Sequence, residues 1–130
     1  MPKCPHVLVV DDDPGLCESI RALLSSMGYA VNTAANSVEA LRKLDASRPD
    51  VVLTDIFMIG GDGFELINAM RSFEQSIPIV AMSGGALQFD TAEQLQIARH
   101  LGASATIAKP FRAAHLIETI DRAAAGRIAA

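Results

Sequence analysis

The chain is predicted to be an α/β domain built on a parallel sheet, and three features of the sequence predict it. Five short apolar runs recur along 130 residues, stretches of helical period separate them, and several runs lack the polar alternation of a half-exposed strand. The runs are read as strands at His6–Val10, Ala30–Ala34, Val51–Thr54, Ile77–Met82 and Ala105–Ala108. Right-handed crossovers between them place helices on both faces of a five-stranded sheet.

Each helix has its own signals. Leu16, Ile20, Leu23, Leu24 and Met27 form one amphipathic stripe, with Pro14 at its start and Gly28 placed to close it. Asn36 with Glu39 has the spacing of a capping box for a second helix carrying Val38, Leu41 and Leu44 inward, and Pro49 lies beyond its end. Asp62 with Glu65 repeats the box for a third helix with apolar positions Phe64, Ile67 and Met70, which ends before Pro78. Ala92, Leu95, Ala98 and Leu101 mark a fourth helix closed by Gly102; Leu116, Ile117, Ile120 and Ala124 mark a fifth, and the alanine-rich tail 123–130 reads as its fraying end.

Composition narrows the function. Half the residues are hydrophobic and 20% are charged, which suits one compact core, at about residues 5–125, within a single domain 1–130. A net charge of −4, with 11 basic residues scattered among 15 acidic ones, argues against a nucleic-acid surface or a polybasic membrane anchor. Cys4 and Cys17 are too isolated for a disulfide framework or a zinc cage and read as reduced thiols. The Val7–Val10 run is too short for a signal-peptide core or a membrane span, so a cytoplasmic location is expected. His6, His100 and His115 share no metal-ligand spacing and are assigned to structure or solvent.

Ligands of open parallel sheets bind beyond the carboxyl ends of the strands. There the sequence places Asp11, Asp12 and Asp13 after the first strand, Asp55 after the third, Ser83 after the fourth and Lys109 after the fifth. A lone Asp after a strand is ordinarily a turn or cap residue; four polar strand ends together are not so easily explained. With the first and third strands adjacent, their carboxylates repel. Each like-charge pair at 4 Å costs about 4 kcal/mol at an effective dielectric of 20, a large share of a domain's stability of roughly 5–15 kcal/mol. A hard divalent cation, best Mg²⁺, would neutralise them; a protonated carboxyl is the alternative. An aspartate beside a cation, a hydroxyl and an ammonium is also equipped to accept a phosphoryl group.

These residues resemble the response-regulator receiver domains of two-component signalling, over nearly the whole chain. The likeness rests on Val-Leu-Val-Val-Asp-Asp-Asp-Pro at 7–14, Leu-Thr-Asp-Ile at 53–56, Met58 with Asp62-Gly63, Ala-Met-Ser-Gly at 81–84, Gly-Ala at 102–103 and Lys-Pro-Phe at 109–111. It implies a flavodoxin-like receiver fold with strand order 2-1-3-4-5, of the stand-alone single-domain type. It implies that Asp55 accepts a phosphoryl group from a sensor histidine kinase or a histidine phosphotransfer protein, and that an unknown downstream protein reads the result. Asp12 and Asp55 would bind Mg²⁺ directly with the backbone carbonyl of Phe57, Asp11 would act mainly through metal-bound water, and Ser83 and Lys109 would contact the phosphoryl oxygens. The Lys109–Pro110 bond would be cis. Asp13 stands outside this set and reads as a helix cap.

Three features depart from the pattern. Thr106 stands where many receivers carry an inward-turning aromatic, so coupling from Ser83 to the fifth strand is expected to be weaker or differently built. Ile59 replaces the usual proline in a turn crowded by Gly60, Gly61 and Gly63, so a more mobile loop is expected. The 25 residues between Ser83 and Lys109 exceed the family's usual spacing, with the surplus at 84–91 and Phe89 its one large apolar residue. Nothing after Ala125 suits a DNA-binding helix pair, so transcriptional activity would require another chain; a signalling receiver with this charge balance is expected to have no nucleic-acid partner and no enzymatic turnover of its own. Two other readings compete: a receiver-like docking module that is not phosphorylated, and a small aspartate-nucleophile phosphatase, suggested by Asp11-x-Asp13 but lacking an acidic pair after Lys109.

Overall fold

A computed structural model describes residues 5–56, 63–73, 76–83 and 91–129. Along the chain run β1 (His6–Val10), α1 (Pro14–Ser26), β2 (Ala30–Ala34), α2 (Ser37–Ala46), β3 (Val51–Asp55), α3 (Gly63–Phe73), β4 (Ile79–Ser83), α4 (Thr91–Leu101), β5 (Ala105–Ala108) and α5 (Ala113–Ala129). The five strands form one parallel sheet in the order β2-β1-β3-β4-β5. Alternate strand residues feed two cores. Leu8, Val10, Val52, Ile79 and Ala81 pack with α2, α3 and α4, whereas Val7, Val9, Leu53, Val80 and Met82 pack with α1 and α5. β1, β3 and β4 are buried almost throughout, as their unbroken apolar runs imply; the edge strands β2 and β5 are only partly covered.

The predicted starts and stops mostly hold. Asp13 caps α1, its Oδ1 accepting from the N–H groups of Gly15 and Leu16 at 3.0 and 3.2 Å. Gly28 and Gly102 take positive φ after α1 and α4. Replacing Asp13 by Ala is expected to cost about 1 kcal/mol, read as a lower urea midpoint at unchanged slope.

Five details differ from the sequence reading, the first being Met27, expected on the apolar stripe of α1 but 54% exposed, because the helix ends at Ser26 and Met27 is its C-cap. β4 starts at Ile79 rather than Ile77 and runs on to Ser83, because Pro78 has no N–H for the ladder; its carbonyl accepts from Val52 at 3.0 Å instead. β3 extends one residue to Asp55, which pairs with Met82. Val38 is 60% exposed rather than inward, since α2 faces the core with Ala40 and Leu44, and two residues turn a helix by about 200°. Glu39 Oε1 accepts from the N–H of Ala35 at 2.6 Å, not from that of the cap Asn36, although Asn36 Oδ1 does accept from Glu39 at 2.8 Å. Cys4, Ile59, Gly60, Gly61, Asp62 and Phe89, the side chain of Leu95, and the surplus segment before α4 lie outside the described residues.

Tyr29, the one tyrosine of the chain, is buried after α1, and its hydroxyl donates to the Asp121 carboxylate on α5. Burial, then the bond to Asp121 and its charge, push the phenol well above its ordinary value. A raised folded-state value means that the stabilisation is complete below pH about 10 and is lost as the pH climbs through the folded value. The absorbance signal of tyrosinate is therefore expected only at strongly alkaline pH, and Asp121→Ala should bring it back toward the ordinary range.

Candidate functional site

Strand register builds the site at the carboxyl edge of the sheet. Val10 pairs with Thr54, so Asp11 and Asp55 emerge side by side one residue later. Asp55 pairs with Met82 and Ser83 pairs with Ala108, which sets Ser83 one step and Lys109 two steps beyond Asp55 on the neighbouring strands. The ladder continues past the strands: the N–H groups of Asp11, Ile56 and Lys109 donate to the carbonyls of Ala34, Met82 and Ser83 at 3.0, 2.9 and 2.7 Å.

One carboxylate oxygen each from Asp11, Asp12 and Asp55 lies within 4.8 Å of the others. Asp11 and Asp55 are buried and Asp12 is half-buried. Lys109 Nζ lies 3.0 Å from Asp11 Oδ2 and 3.5 Å from Asp55 Oδ2. Asp11 Oδ1 accepts from the N–H of Asp13 at 2.9 Å, so both of its carboxylate oxygens are engaged by donors within the protein. Three hard oxygen donors from two strand ends, with one ammonium between them, fit Mg²⁺ held by few protein ligands.

The electrostatics reflect the crowding. Burial pushes the Asp55 carboxyl up to about 6; Lys109 pulls it down and Asp11 pushes it up. Burial alone would lower Lys109, but its hydrogen bond to Asp11 and the two carboxylate charges outweigh that and hold the ammonium above its ordinary value. Cys17 is buried in α1 with its thiol donating to the Asp11 carbonyl at 3.3 Å. Burial, with the nearby Asp11 charge, pushes this thiol up to about 11, so it stays protonated and inert at neutral pH.

Thus Asp11, Asp12, Asp55 and Lys109 meet at one end of the sheet. Ser83 is buried at the end of β4, one step beyond the partner of Asp55. The Lys109–Pro110 bond is cis. Asp13 is occupied as a cap, and no histidine joins the acidic group among the described residues. Phe57, whose carbonyl was expected to complete the cation site, lies outside the described residues.

Two contacts were not foreseen. The bond from Lys109 to Asp11 is one, because spacing along the chain does not say which carboxylate an ammonium will choose. The other is Gly63, whose N–H donates to the Ile56 carbonyl at 2.6 Å and on which a Cβ would come 2.1 Å from the Asp55 carbonyl. Only glycine allows that approach at the head of α3.

Comparison with known proteins agrees with this geometry. The sequence profile of the response regulator receiver domain matches residues 7–121. The transcriptional regulatory protein PrrA of Mycobacterium tuberculosis is 34% identical over 116 residues, 89% of this chain and 48% of that protein. The response regulator MprA of Mycobacterium avium is 34% identical over 112 residues, 86% of this chain and 47% of that protein. The chain thus spans about half the length of the curated relatives it matches. Among solved structures, the receiver domain of NtrX from Brucella abortus superimposes with a TM-score of 0.84 at 31% identity, covering 91% of this chain and 97% of that one. A CheY-like receiver protein from Methanospirillum hungatei gives 0.87 at 26% identity, covering 96% and 97%. No helix among the described residues is long and apolar enough to cross a membrane. With the sheet order, the acidic cluster and the profile in agreement, the chain belongs to the response-regulator receiver domain family.

Proposed function

We propose that this receiver domain accepts a phosphoryl group on Asp55 from a phosphohistidine of a sensor histidine kinase or histidine phosphotransfer protein, and signals by changing its affinity for a protein partner. The observation that carries this reading is the buried Asp55 carboxylate, with Asp11 and Asp12 within 4.8 Å and the Lys109 ammonium at 3.5 Å. An Asp55 carboxylate oxygen forms the new bond to phosphorus as the phosphorus–nitrogen bond to the donor imidazole breaks. Lys109 is placed to offset charge on the transferred group, and Ser83 is placed to hydrogen-bond one of its oxygens. Asp12 and Asp55 would hold Mg²⁺ directly, joined by the Phe57 carbonyl, and Asp11 through water; the cation would supply charge neutralisation at the phosphoryl oxygens. A cleft of about 430 Å³ beside Asp11 and Asp12, bordered by Glu39 and Lys43, leaves this corner open to solvent.

The reading makes the chain a phosphoryl acceptor rather than a turnover enzyme, places it in the cytoplasm with its donor, and gives this domain no nucleic-acid contact of its own. Incubation with acetyl phosphate and Mg²⁺ is expected to add one phosphoryl group, seen by intact mass and released by hydroxylamine. Chelating the metal should abolish the gain. Labelling that persists in Asp55→Ala would overturn the assignment of Asp55.

A further inference from the structure

The far end of the molecule carries a junction that the phosphoacceptor chemistry does not use. Near the end of α3, the half-buried guanidinium of Arg71 donates through Nε to the Gly102 carbonyl at 3.0 Å and through Nη1 to the Ile77 carbonyl at 2.9 Å. The first carbonyl closes α4 ahead of β5, and the second stands at the entrance to β4. The same two entrances are locked to each other, since Ser104 N–H donates to the Ile79 carbonyl at 2.7 Å and Ser104 Oγ accepts from Ile79 N–H at 3.3 Å. Gly102 has a φ of 126°, and a Cβ there would come 2.8 Å from Arg71 Cγ. Backbone and side chain are therefore shaped to one another.

Three of the elements that meet at Arg71, α3, β4 and β5, have their opposite ends at the site. α3 begins at Gly63, seated on the Asp55 carbonyl. β4 ends in Ser83, and β5 runs into Lys109. Strands and helices in a packed core move as stiff units, so a small displacement at one end is carried to the other. β5 itself presents Thr106 rather than an aromatic ring.

We infer that Arg71 is the coupling residue of this receiver: it carries the phosphorylation state of Asp55, through α3 and β4, to the surface where α4 ends and β5 begins. The inference rests on Asp55 being the phosphoacceptor. It is tested by backbone amide spectra of the ¹⁵N-labelled protein in Mg²⁺, before and after acetyl phosphate, for wild type, Arg71→Lys and Arg71→Gln, with labelling stoichiometry measured in parallel by intact mass.

In the phosphorylated wild type, amides should shift both at the site (11, 12, 56, 83 and 109) and at the junction (101–105). In Arg71→Gln the site shifts should persist at full stoichiometry while the junction shifts fall to less than about a third, with Arg71→Lys between the two. Equal junction shifts in wild type and Arg71→Gln would overturn the inference. So would a labelled wild type whose junction does not shift, a result that needs no variant to fold. A wild type that takes up no phosphoryl group would instead overturn the reading of Asp55, and the coupling with it.

Discussion

Asp55→Asn is expected to make the protein more stable in metal-free buffer at pH 7, by about 1–3 kcal/mol, while abolishing phosphoryl labelling. A catalytic loss paired with a stability gain follows from the electrostatics. The Asp55 carboxyl is raised from 3.8 to about 6, first by burial and further by the charge of Asp11, against the pull of Lys109. Every tenfold tightening of proton binding corresponds to about 1.4 kcal/mol of preference for the neutral form, and the amide has no charge to desolvate. Loss of the 3.5 Å pair with Lys109 offsets part of the gain.

The sign with pH follows from the same raised value. The native state holds this proton more tightly than the unfolded chain, so wild-type stability should fall as the pH rises from about 4 through about 6, and that slope should disappear in Asp55→Asn. Mg²⁺ should stabilise wild type by mass action and stabilise the variant much less. Urea titrations at several pH values, with EDTA or Mg²⁺, measure all of this. A variant less stable than wild type in EDTA, at unchanged slope, would contradict the picture of crowded carboxylates.

Lys109→Met is expected to act in the opposite direction. The ammonium is 3.0 Å from the Asp11 carboxylate, which is almost wholly buried, and it also faces Asp55. Methionine replaces the stem and removes the charge, leaving two buried carboxylates without their shared counterion. Breaking a buried pair on one side costs about 3–5 kcal/mol. The Lys109 side chain is 23% exposed, so about 2–4 kcal/mol is expected here. Saturating Mg²⁺ should recover a large part of that loss, because it supplies positive charge to the same oxygens, whereas it cannot rescue an ordinary packing defect. The chevron of folding and unfolding rates would show the recovery mainly as slower unfolding if the cluster forms late. Equal stability of wild type and Lys109→Met in EDTA would show that the ammonium is not what holds the carboxylates together.

The two variants test different halves of the site, one by removing a negative charge and one by removing the positive charge. Together they ask whether the three aspartates are tolerable only with compensation, which is the physical reason to expect a cation there.

The fold class, and the gathering of polar residues at one edge of the sheet, were legible in the order of the residues alone. Unbroken apolar runs marked β1, β3 and β4 because both faces of those strands are covered. Asp13, Asn36, Gly28 and Gly102 marked helix ends because caps are local chemistry, satisfied within three or four residues. Asp11, Asp12, Asp55, Ser83 and Lys109 were legible because each lies at or just past the end of a strand and the strands are parallel, so that all five fall on one edge. Tertiary structure alone decided which of these groups touch: that Lys109 bonds Asp11, that Gly63 rests on the carbonyl of Asp55, and that Arg71 joins Gly102 to Ile77 across distant parts of the chain. It also turned Val38 outward and moved the start of β4 past Pro78. Local spacing records which face of an element a residue occupies, but partner choice depends on how elements close on one another, and no short-range pattern in the sequence carries that distance.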